Sequence, residues 1–118
     1  MSVSADQRDA ILLVGRLFAL HGFADKGVRI VGALDVIHPD DPDTLRALAW
    51  TQSKATLPQQ ALSTLDRLAA LGHIDQGFHL MRSQVLSQLD RYEEAAASMR
   101  AYLEGLDPKL PGVRVKSS

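Results

Sequence analysis

Four histidines, His21, His38, His73 and His79, are the side chains best suited to hold a metal or move a proton. No two of them fall at i, i+4, and no carboxylate joins them at a zinc-ligand spacing, so no metal site is expected. Cysteine is absent, which removes thiolate nucleophiles, disulfides and Cys-ligated metals. Gly22 and Gly27 have the spacing of glycines in a phosphate-binding loop. Val28 stands where that chemistry needs a lysine, and no strand leads into the segment. Serine, histidine and aspartate all occur, yet no serine sits in a strained nucleophile turn. The residues predict a protein that is not an enzyme and uses no cofactor.

What remains is the chemistry of binding. Trp50 is the only tryptophan, and large aromatics are the side chains most enriched at binding hot spots. Arg16, Arg46 and Lys54 would suit an acidic or carbonyl-presenting partner segment. The other reading of Trp50 is core packing against a neighbouring element, since its apolar surface is large. His38-Pro39-Asp40 repeats the tripeptide found in J-domains. Here it closes a helix and runs into Asp41-Pro42-Asp43, rather than lying between long basic helices. The acidic run Asp40 to Asp43 is expected to be a solvated, helix-capping connection.

These residues must be positioned by a repeat. Offset by 34 residues, the segments 8–41, 42–75 and 76–109 fall into register. The small residues Gly27, Ala61 and Ala95 coincide, as do the sets Val31, Leu65, Met99 and Leu34, Leu68, Tyr102. Gly15 coincides with Ala49. Each segment reads as two amphipathic helices; in the first, the stripe Ile11, Val14, Phe18 and then Val28, Val31, Leu34 should face the core. Gly22 and Gly72 mark turns, Asp40 or Asp41 and Asp75 are candidate N-caps, and Pro42 and Pro58 suit first helical positions. Period-two alternation is nowhere sustained, so no strand is expected. The third segment departs in its first helix: Arg82 takes an expected apolar slot, and the stripe runs Phe78, Met81, Val85, Leu89, one residue out of phase.

Helix pairs at this period, with small residues where helices cross, resemble the tetratricopeptide (TPR) repeat. Gly15, Gly27 and Pro39 fit its pattern, as do Ala49, Ala61, and the run from Tyr92 through Ala95 and Tyr102 to Pro108. The resemblance implies an all-α chain of three helix pairs stacked as a short right-handed solenoid, one domain over 1–118 with a flexible tail at 110–118. A solenoid presents a concave groove lined by the first helix of each repeat. Its outward positions are Leu12, Arg16 and Leu20 in the first repeat and Arg46, Trp50 and Lys54 in the second. Beyond Pro108 there is no sequence for a polar capping helix, so Tyr102 and Leu106 are expected to offer apolar surface to a partner or to a second copy.

Thirteen basic against fourteen acidic residues give a net charge of −1, too little positive charge to draw the chain to nucleic acid or a membrane surface. The N-terminus lacks a basic n-region and Arg16 interrupts the first apolar run, so a soluble, unexported protein is expected.

Leu12-Leu-Val-Gly15-Arg-Leu17 with His21-Gly22, Ala33-Leu34 through His38-Pro39, and Ala101-Tyr-Leu-Glu104 together resemble the YscY family of type III secretion chaperones. Arg16 departs from that pattern, where an aromatic or apolar residue would be expected. The resemblance implies a bacterial cytoplasmic chaperone that holds a small secreted component (YscX-like) before export and docks with it on the cytoplasmic domain of the export gate. Two alternatives stand beside it: a needle-subunit chaperone of the same system, and a homo-oligomeric TPR scaffold without a client. Self-association is expected when the client is absent.

Overall fold

The computed structural model describes residues 2–106. They form six α-helices and, among the described residues, no strand: α1 (Ala5–Leu20), α2 (Ala24–Ile37), α3 (Pro42–Lys54), α4 (Pro58–Ala70), α5 (Gln76–Gln88) and α6 (Tyr92–Glu104). Pro108 and the tail at 110–118 lie outside the described residues. The chain divides into two compact units between His73 and Ile74.

The helices keep the period found in the sequence. Ala24, Pro58 and Tyr92 open α2, α4 and α6 at intervals of 34, the interval that also separates Pro42 from Gln76. Within each helix pair the turn carries one residue of positive φ, and these recur at the same interval: Gly22 at 87°, Thr56 at 56° and Asp90 at 60°. Pro42 and Pro58 occupy first turns, where a missing N–H is harmless. Asp75 caps α5 by accepting the Phe78 N–H at 2.9 Å. Ser4 caps α1 in a reciprocal box with Gln7, a device that the sequence reading missed.

In the first unit, α1 packs on α2, α2 on α3, α3 on α4, and α1 also reaches α3. The core joins Leu12, Val31, Leu34, Ala47 and Leu48. The small residues do what their size predicts: Gly15 and Gly27 meet backbone to backbone, and Ala61 is fully buried. Arg67 of α4 grips Asp35 of α2 with two hydrogen bonds of 2.7 and 3.0 Å, and adds a third to Asp40 at 2.9 Å. This guanidinium holds the Asp35 carboxyl below its ordinary range. The acidic connection is thus less solvated than its composition suggested, since Asp41 also accepts from Arg8 and from the Thr44 hydroxyl.

Two expectations for α1 need correction. The buried face is Leu12, Gly15 and Ala19; Ile11 and Phe18 are half-buried and Val14 is exposed. Leu12, expected on the groove, is core. The cause is that α1 is apolar nearly all round, so periodicity alone could not choose its inward face.

In the second unit, α5 packs against α6. Phe78 and Val85 are buried as expected, but Leu86 is fully buried too, while Met81 and Leu89 are only half-buried. Arg82, in the slot expected to be apolar, donates to the Ser98 hydroxyl across the pair at 3.0 Å, which makes a charged side chain tolerable there.

Candidate functional site: a cation–aromatic ledge and an apolar helix face

Trp50 lies on the third turn of α3, and its ring is neither buried nor free. The Lys54 ammonium, one turn on, sits 5.5 Å from the ring centroid. A cation over an indole face is attracted by the ring quadrupole, so the pair is partly preorganised. One turn earlier, half-buried Arg46 donates to Asp43 at 3.3 Å. Arg16 is exposed on α1 and shares a small cleft with Asp9, Leu12, Leu13 and Asp43. Leu20 is exposed at the end of α1.

Lys54 also lines a second cleft, of about 370 Å³, with Lys26 and Arg29 from α2 and residues of the turns at Gly22 and Thr56. Asp25 is the only acid among its lining residues. Lys26 lies 5.1 Å from the Phe23 ring centroid and 5.9 Å from that of Phe18. Three cations, two of them held on aromatic faces, therefore line one cleft, and Lys54 links it to Trp50. Carboxylates or backbone carbonyls of a bound segment match that arrangement. Sequence reasoning missed Lys26 and Arg29, because only the approach of the two turns brings them to Lys54.

The face of α1 opposite its core is apolar. Leu13, Val14, Leu17 and Leu20 are exposed there, and Phe23 follows in the turn. Val14, Leu17, Phe18, His21 and Phe23 line a shallow apolar cleft of about 280 Å³. In the second unit, Tyr102 and Leu106 are half-buried, and the Tyr102 carbonyl accepts a hydrogen bond from the Gln76 side chain at 3.2 Å. Leu103 and, at the start of α6, Tyr92 are the exposed large hydrophobic residues of this helix.

Among the described residues no three His, Asp or Glu side chains gather as metal ligands, and no helix is long and apolar enough to cross a membrane. Neither a protein-family model nor a curated protein matches the sequence.

Proposed function

We propose that the chain is a short right-handed solenoid of three TPR-like helix pairs that acts as a binding module for a partner polypeptide. It serves as a cytoplasmic type III secretion chaperone of the YscY kind. The observation that carries this reading is the ledge at Trp50, where a half-exposed indole lies under Lys54 beside the cleft of Lys26 and Arg29. An amphipathic client segment would place an apolar side chain against the indole and acidic side chains toward the three cations. The 34-residue recurrence of helix starts and positive-φ turns supports the repeat assignment. The sequence resemblance supports the identity of the client, a small secreted component that would self-associate if left uncovered. The pair would then dock on the cytoplasmic domain of the export gate.

Co-expression with small type III secretion components tests the reading. A soluble heterodimer with a higher melting temperature than the free chain is expected, because a ligand that binds only the folded state stabilises it. Recovery of the chain alone in every pairing would overturn it.

A further inference from the structure

The cleft of Lys26, Arg29 and Lys54 holds more positive charge than its own acid balances. Elsewhere Arg8, Arg46, Arg67 and Arg91 each meet a carboxylate at 3.3 Å or less. Among the described residues Lys26, Arg29 and Lys54 pair with none, although Asp25 lines the same cleft. The two ammonium groups rest on aromatic rings instead, which leaves their charge intact and restricts their freedom. Cations ordered in advance lose less freedom when an anion arrives.

The backbone adds donors at the same place. Ala24 and Asp25, the first residues of α2, line the cleft, and no side chain caps this helix end. The Lys26 and Gly27 N–H groups donate back to the Phe23 carbonyl at 3.0 and 3.1 Å. Those of Ala24 and Asp25 have no acceptor among the described residues. A carboxylate would bring one charge and two oxygens in a plane. A phosphate brings nearly two charges and three strong acceptor oxygens, the better match to donors arriving from two turns and a helix end. The volume of about 370 Å³ is that of a small-molecule site.

We propose that this cleft binds a small phosphate ligand, held by Lys26, Arg29 and Lys54 with help from the free N–H groups of α2. The site rests on the free chain alone. One consequence rests on the client reading: acidic side chains of a client would use the same cations, so phosphate and client exclude each other.

Calorimetric titration of the full chain with sodium diphosphate, at matched ionic strength, tests the proposal. Wild type should bind it saturably, and more tightly than citrate, a carboxylate anion of similar charge. Lys26→Gln, Arg29→Gln and Lys54→Gln should each weaken binding by about threefold or more, with helicity unchanged. Arg100→Gln, an exposed cation on α6, should leave it as it was. No saturable binding overturns the proposal, as does citrate bound as tightly as diphosphate, or a triple glutamine variant that binds like wild type. The client reading stands or falls separately, on co-expression. With a captured client, diphosphate should weaken the complex by about threefold or more; a complex indifferent to it would overturn the shared use of the cleft.

Discussion

The backbone carbonyl oxygen of Gly15 lies 2.6 Å from the point where a Cβ on Gly27 would sit. Two helices can approach this closely only where neither carries a side chain at the crossing. Gly27→Ala should therefore force α1 from α2 and cost about 1–3 kcal/mol, the range for overpacking. Gly32 lies on the same helix with nothing within 4 Å of an added Cβ. Gly32→Ala should stabilise the chain by about 0.5–1 kcal/mol through helix propensity. Urea titration of both variants checks the pair, and equal effects would contradict the crossing.

Thr56 holds φ at 56°, where a β-branched residue is strained, while glycine occupies the equivalent position 22 and aspartate position 90. Thr56→Gly should raise stability by about 1 kcal/mol, as the left-handed conformation loses its Cβ penalty. Thermal unfolding that shows a loss instead would mean that the Thr56 hydroxyl bond to the Ala55 carbonyl outweighs the strain.

The Arg67–Asp35 bridge makes an acid-side prediction. Asp35 is held below its ordinary value of 3.8, first by the hydrogen bonds from Arg67. A depressed carboxyl contributes stability above its unfolded pKa and loses it as pH falls through the lower folded value. Arg67→Met should cost about 1 kcal/mol near neutral pH. The gap from wild type should narrow as the pH drops below 3.8. A gap that is constant with pH would show that the cost is packing and not charge.

Ala61 is fully buried on α4, two residues from exposed Ser63. Ala61→Leu should cost about 1–3 kcal/mol by overpacking, while Ser63→Leu should change stability by less than about 0.5 kcal/mol. Melting temperatures of the two variants separate a crossing position from an outer one.

Local signals in the sequence located the helices well. Gly22, Pro42, Pro58 and Gly72 act through backbone geometry that depends on no distant residue. Gly27, Ala61 and Ala95 were legible for a related reason, since a close crossing admits only small side chains. The face of α1 was not legible. Ile11-Leu-Leu-Val14 and Leu17-Phe-Ala-Leu20 are apolar at every phase, so Leu12 was read as groove although it is core, while Leu13 and Leu17 were passed over although they are exposed. The cleft of Lys26, Arg29 and Lys54 was equally hidden, because residues from two turns meet there only through tertiary packing.

The client-binding account turns most directly on Trp50→Ala, measured as client affinity together with the thermal midpoint of the free chain. With the indole as client anchor, affinity should fall by about 2 kcal/mol or more, while helicity and midpoint stay near wild type. Arg46→Glu serves as its control, altering the salt dependence and association rate more than stability. A free chain destabilised by about 3–5 kcal/mol would place Trp50 in the core, and undiminished affinity in a folded Trp50→Ala chain would remove the ledge from the binding site; either result contradicts the account.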